Sequence, residues 1–164
     1  MSKQASQFWI VTVCAIAWML FMRAYTPNNI VQFELAHTVD SASRIISGWG
    51  EMGIKNARVS IYLDFIFLIL YSWAIGMGCR LAGEFSDIQL FKGPSIFFMR
   101  AAWFAGTCDL IENFSMIFTL SHLNEFSVSM SFYFAVIKFL ILAIALIFIL
   151  LASSVGLFNM FYKK

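Results

Sequence analysis

The chain has 164 residues, of which 61% are hydrophobic and only 12% charged, with a mean hydropathy of +0.81. Soluble domains carry about a quarter charged residues and about half apolar ones, so the composition excludes an ordinary soluble globule and points to an all-α, lipid-embedded protein. A net charge of +2 without any Lys/Arg-rich run argues against a nucleic-acid partner.

A membrane-spanning helix consumes about 20 residues, which allows this length about four or five spans. The first expected span covers 7–25, with Trp9 and Tyr25 at levels suited to the two headgroup interfaces. Lys3 and the apolar run 8–22 imitate a secretory signal, but Arg23 stands where a small-residue cleavage site belongs, so the segment reads as a retained span. Pro27-Asn28-Asn29 then breaks the helix.

Segment 32–49 differs in kind. Leu35, Val39, Ala42, Ile46 and Trp49 recur at spacings of three and four, on one helical stripe, while Glu34, Thr38, Asp40, Ser41 and Arg44 occupy the other faces. That pattern predicts an amphipathic interfacial helix, ended by Gly48 and Gly50, that lies on the membrane surface or caps the bundle.

The second span is expected over 59–81, opened by Lys55 and Arg58 and closed by Arg80. Ala74, Gly78 and Ala82 form a row of small residues that permits close helix approach. A connection containing Gly83, Gly93 and Pro94 leads to the third span over 95–120, where Ala102 and Gly106 offer a matching face. A turn at 121–126 precedes the fourth span over 127–153, and Lys163 and Lys164 behind Tyr162 form an interfacial stop. The expected architecture is one membrane domain: a four-transmembrane-helix bundle with an additional amphipathic helix. Lys3, Arg80, Lys92, Lys163 and Lys164, with Arg100 nearby, outnumber Arg23, Arg44, Lys55 and Arg58 on the other side, which places both termini in the cytoplasm.

Charged residues inside the spans carry the functional signal, because a charge near the bilayer centre costs about 2.5–3.5 kcal/mol on insertion scales. Asp109, Glu112 and Asn113 share one face of the third helix, at i, i+3 and i+4. Asp64 and Tyr71 share a face of the second, and Ser131 and Lys138 a face of the fourth. Depth along the spans brings these groups to the outer half of the bundle, with Arg23 approaching from the end of the first helix and Arg44 or Lys55 as further cations. Unless Arg44 or Lys55 dips in, three carboxylates face only two cations, Arg23 and Lys138, so a surplus carboxylate should either hold a proton or recruit a cation. The plainer alternative is that an Asp109–Lys138 pair only fixes helix register.

Other chemistries lack their residues. His37 and His122 fall in connections, which argues against a haem site, and no Cys/His cluster, Glu-x-x-His pair, phosphate loop or nucleophile elbow is present. Cys14, Cys79 and Cys108 form no CxxC pair and read as small hydrophobes. No cofactor and no metal are expected.

Phe33-Glu34-Leu35-Ala36 leading to Trp49, Leu63-Asp64-Phe65 leading to Tyr71, and Asp109-Leu110-Ile111-Glu112-Asn113 resemble a family of small four-span bacterial membrane proteins that brings no activity to transfer. The resemblance covers about 32–113 and implies a bacterial inner membrane. The order of one span, a connection with a short helix and three spans with inward acids is similar in architecture to the sterol-isomerase and sigma-2 receptor class. That class implies an acidic intramembrane cavity for lipid-like amines or sterols. Spanning-helix histidines for isomerase chemistry are missing here.

The expected function is therefore a polar pocket that binds a small amphiphile, lipid or cation. Asp109 and Glu112 supply negative charge, Asn113 and Tyr71 hydrogen bonds, Lys138 a balancing charge and Asp64 the mouth. Arg23, Glu34, Arg44 and Trp49 belong to a surrounding shell or lid. Alternatives are a proton-coupled transporter or channel subunit, which requires a homo-oligomer, an assembly subunit with structural charges, and a lipid-modifying enzyme with Glu112 as general acid/base.

Overall fold

The computed structural model describes residues 3–162; the expected stop at Lys163 and Lys164 lies outside them. Every regular element among the described residues is helical: α1 (Lys3–Met22), α2 (Ile30–Glu34), α3 (Val39–Phe85), α4 (Gln89–Ser121) and α5 (Glu125–Tyr162). Three of them, α1, α3 and α5, are long and apolar enough to cross a membrane.

Short connections at 86–88 and 122–124 fold α3, α4 and α5 back on one another. Arg58 near the start of the straight part of α3 donates to the Leu120 carbonyl at 2.9 Å, at the end of α4. At the other end Asn159 of α5 donates to the Ser86 carbonyl at 2.9 Å. α1 packs chiefly on α3, pinned where the Trp18 indole donates to the Leu63 carbonyl at 3.0 Å and the Thr26 and Ser60 hydroxyls meet at 2.9 Å.

The amphipathic segment is not one helix over 32–49. α2 stops at Glu34, and Thr38 takes an extended conformation (φ −128°, ψ 152°), its hydroxyl accepting from the Ser41 amide at 3.2 Å. A Thr N-cap of this kind starts a new helix and satisfies one of its orphan amides. The break rotates the expected stripe: Leu35 is exposed, while Phe33 and Ala36 are buried with Ala42. Val39, Ile46 and Trp49 pack against this cluster, which also holds Ile61, Met116 and Val128. Gly50, at φ 62° and ψ −177°, then redirects the chain into the long straight part of α3. That backbone conformation is closed to residues carrying a Cβ, which is why glycine stands there.

Two further expectations are corrected. Gly93 and Pro94 lie within α4, which begins at Gln89; the early position of Pro94 leaves few helical hydrogen bonds to lose. The small-residue row Ala74–Gly78–Ala82 does not meet Gly106. A Cβ on Gly78 would touch Ile149 of α5 and Phe8 of α1, whereas one on Gly106 would collide with the Ser72 hydroxyl. Rows four residues apart drift around a helix, so neighbouring small residues on α3 serve different partners.

The two halves of the bundle differ in chemistry. Toward the chain termini, Cys79, Ala82, Ala145, Phe148 and Ala152 form a dry core with Ile75, Phe91, Phe98 and Ile149 around it. In the opposite half, α4 turns Asp109, Glu112 and Asn113 inward, while along its whole outer side Phe97, Phe104, Phe114 and Phe118 stand out at 51–66% exposure.

Candidate functional site

Lys138 of α5 is the centre of the polar half. Its ammonium donates to Asp109 Oδ1 at 2.9 Å and lies 2.8 Å from Glu112 Oε2, both on α4 one turn apart. The Glu112 contact is an ion pair without hydrogen-bond alignment, so both oxygens of this fully buried carboxylate lack a hydrogen-bond partner. A third carboxylate, Glu34 at the end of α2, comes within 3.8 Å of the same ammonium. Tyr71 of α3 donates to the second oxygen of Asp109 at 2.8 Å. One turn or more toward the amphipathic segment, Asn113 donates to Asp64 Oδ2 at 2.7 Å. Lys138 also lies 4.8 Å from the centroid of the Phe139 ring.

The helices impose this arrangement. Residues three and four apart on α4 project from one face, so Asp109, Glu112 and Asn113 can only all point toward α3 and α5 or all toward the outside. Turning inward gives each a partner, whereas the outward faces are already occupied by phenylalanines. Glu34 arrives differently: α2 is only one turn long, anchored by buried Phe33, whose ring packs edge-on to Trp49 at 5.2 Å between centroids. Burial pushes the Glu34 carboxyl above the ordinary carboxylate range, against the pull of the Lys138 ammonium.

Four carboxyl groups, Glu34, Asp64, Asp109 and Glu112, thus gather with one ammonium, and all but Asp64 lie within 3.8 Å of it. Arg23 and Arg44 do not neutralise them. Arg44 stands on the exposed face of the amphipathic segment and binds the Asp40 carbonyl at 3.3 Å, and Arg23 is exposed. Lys55 is exposed as well. Four full negative charges against one positive charge are not stable in a low-dielectric interior, so the surplus is held as protons or met by a cation.

A narrow crevice of about 90 Å³ reaches the cluster from the α1–α2 connection, walled by Thr26, Ile30, Glu34, Ser60, Asp64 and Asn113. Beside it a wider crevice of about 260 Å³ runs along α1 and α3, lined by Met19, Leu20, Arg23, Asp64 and Phe67. Met22, Thr26 and Asp64 belong to both. Asp64 therefore stands where an apolar trough meets an acidic recess, and Arg23 stands at the rim of the trough. Trp49 is not among the residues that wall the recess; it packs around Phe33, with its indole N–H unpartnered.

Among the described residues no group of three or more His, Cys, Asp or Glu side chains is spaced to hold a metal ion. His37 is exposed, its ring edge-on to Phe132 at 4.8 Å between centroids. Comparison with family models, with curated proteins and with solved structures yields no match.

Sequence reasoning gave no place to Thr26 and Ser60, which wall the recess, or to Trp18, which fixes α1 beside it. A hydroxyl or an indole within an apolar run carries no signal by itself, since each is satisfied by a nearby carbonyl in many helices. The Ser131 hydroxyl, about two turns from Lys138 on the same face, is buried without a hydrogen-bond partner.

Proposed function

We propose that this chain is a four-span integral membrane protein of the bacterial inner membrane, with cytoplasmic termini, that binds the cationic head of a small amphiphile. The recess holding Asp64 and Glu34 takes the head, and the trough along α1 and α3 takes the apolar tail. The carrying observation is the position of Asp64, shared by a small acidic recess and an apolar trough. The carboxylate surplus around Lys138 favours a positive guest, and the Met19, Leu20 and Phe67 wall favours an apolar one.

The fourth span in this reading is α4. Asp109, Glu112 and Asn113 interrupt its apolar run but lie on the inward face, while Phe97, Phe104, Phe114 and Phe118 stand on the outer one. A helix with that distribution is suited to lipid on one side and a polar interior on the other.

Binding is favoured over conduction by the dry core of Cys79, Ala82, Ala145, Phe148 and Ala152, which gives protons or ions no polar groups to follow through the other half of the bundle. The test uses the purified full-length protein in mild detergent. Dodecylamine should quench tryptophan fluorescence saturably, dodecanol should not, and Asp64→Asn with Glu34→Gln should remove the difference while helicity is unchanged. Equal responses to amine and alcohol in the wild type would sink the proposal.

A further inference from the structure

A second set of crevices lies at the opposite end of the bundle, remote from the carboxylates. One, of about 280 Å³, runs between α1, α3 and α4 and is lined by Gln4, Gln7, Trp73, Gly76, Arg80 and Trp103 among others. A neighbouring one, of about 420 Å³, is lined by Arg80, Glu84, Lys92, Ser95, Ile96 and Met99. Arg80 and Met99 belong to both, so the two form a continuous groove.

The groove is graded along the helix axes. Arg80 lies five residues before the end of α3 and Lys92 three residues after the start of α4, so both cations stand toward the helix ends, and both line the second crevice. Gln4 and Gln7 of α1 add amides at that end. Trp73 lies seven residues deeper along α3, about 10 Å, and Trp103 eleven residues deeper along α4, about 16 Å. A polar, positively charged rim thus leads into an apolar slot floored by Gly76, where a Cβ would come within 3.3 Å of the Met99 carbonyl.

The charges at the rim are available. Arg80 meets Glu84 only through Nε, at 3.0 Å, in a pair about half exposed, and such surface pairs contribute little. Among the described residues Lys92 has no ion-pair partner. A guanidinium and an ammonium lining one crevice suit a phosphate, since the guanidinium fork binds phosphate oxygens and the ammonium adds a point charge.

We infer that this groove is a binding site for one anionic phospholipid, with its phosphate between Arg80 and Lys92 and an acyl chain against Gly76, Trp73 and Trp103. The site is independent of the amphiphile recess. A zwitterionic lipid shares the phosphate but adds an ammonium beside two cations, so headgroup charge decides between lipids.

The experiment is native mass spectrometry of the full-length protein released from nanodiscs containing equal phosphatidylglycerol and phosphatidylethanolamine with identical chains. The wild type should retain one phosphatidylglycerol in preference to phosphatidylethanolamine by about tenfold. Arg80→Gln with Lys92→Gln should bring the two lipids to near parity, whereas Lys55→Gln, at the other end of the bundle, should keep the preference. Gly76→Leu, which leaves both cations and fills the slot, should reduce retention of both lipids. Parity in the wild type would overturn the inference, as would a preference that survives Arg80→Gln/Lys92→Gln or vanishes equally in Lys55→Gln. Lys92→Gln alone, at an exposed site, gives the same reading if the double variant does not fold.

Discussion

Replacing Lys138 by Met removes the one ammonium that three carboxylates share while keeping the length and much of the volume of the side chain. Asp109, at 2.9 Å, and Glu112, at 2.8 Å, lose their counter-charge together, and Glu34, at 3.8 Å, loses a weaker share. Breaking a buried ion pair from one side costs about 3–5 kcal/mol, because the charge left behind is uncompensated. For a chain of this size that corresponds to a fall of about 6–20 °C in Tm on the scale of soluble proteins. Asp109→Asn should cost far less, about 1 kcal/mol. There Lys138 keeps two carboxylates, the Tyr71 hydroxyl can donate to the new amide oxygen, and the surplus of negative charge shrinks. The Lys138→Met/Glu112→Gln double variant should recover part of the loss, since it removes one stranded charge. Thermal melts followed by circular dichroism in mild detergent give the ranking. If Lys138→Met is no worse than Asp109→Asn, or the double variant is no better than Lys138→Met alone, the ammonium is not the counter-charge of this cluster.

Glu34 should make stability depend on pH. Its carboxyl is held above its ordinary value of 4.5, so between that value and its folded value the native state binds more protons than the unfolded one. Stability from this group is therefore fully present below about pH 4.5 and is lost as pH rises through the folded value; Glu34→Gln should flatten that part of the Tm-against-pH curve, and an unchanged slope would refute the assignment. Gly106→Val should destabilise by about 1–3 kcal/mol, because the added Cβ collides with Ser72 across the α3–α4 contact. Gly93→Ala, with nothing within 4 Å of its Cβ, should instead be neutral or stabilising by up to about 1 kcal/mol, and the pair of melts checks both. Arg58→Ala should fray the end of α4, where the guanidinium binds the Leu120 carbonyl at 2.9 Å, visible as faster amide exchange over the last turn.

The long helices and the convergence of charge were legible in the sequence because each rests on a strong local rule. An acid inside an apolar run has few places to go, and the i, i+3, i+4 spacing of Asp109, Glu112 and Asn113 commits all three to one direction. Lys138 follows from depth alone, since a cation at the same level is the natural partner. What the sequence hid depends on where a helix breaks. Periodicity over 32–49 joined Leu35 to Val39, yet the Thr38 cap restarts the helix and leaves Leu35 outside and Phe33 inside. That break carries Glu34 from a lid position to within reach of Lys138. Arg44 shows the converse: adjacency in sequence to the cluster's cover did not bring its long side chain inward, because its face of the segment is the exposed one. Helix pairing was hidden for another reason. Ala74, Gly78 and Ala82 mark where something comes close without saying what, and the neighbour proves to be α1 and α5 at Gly78 but α4 at Gly76.

The division of the bundle into a polar and a dry half bears on why so many charges are kept. If the Lys138–Asp109 pair served register alone, the dry half shows that this chain can fix helix packing without charge: Gly78, Ala82, Ala145 and Ala152 achieve close contact through size. Extra carboxylates add desolvation cost to register without adding specificity, since one pair already defines the alignment. Glu34 is the clearest case. It comes from a one-turn helix in a connection, where a neutral residue would pack equally well beside Phe33 and where no spanning helix needs to be aligned. A carboxylate placed at that point faces both the ammonium at 3.8 Å and the recess that opens toward Asp64. In the proposed reading that position lets Glu34 share Lys138 when the recess is empty and turn to a cationic guest when it is filled, an exchange of partners that a purely architectural charge has no use for.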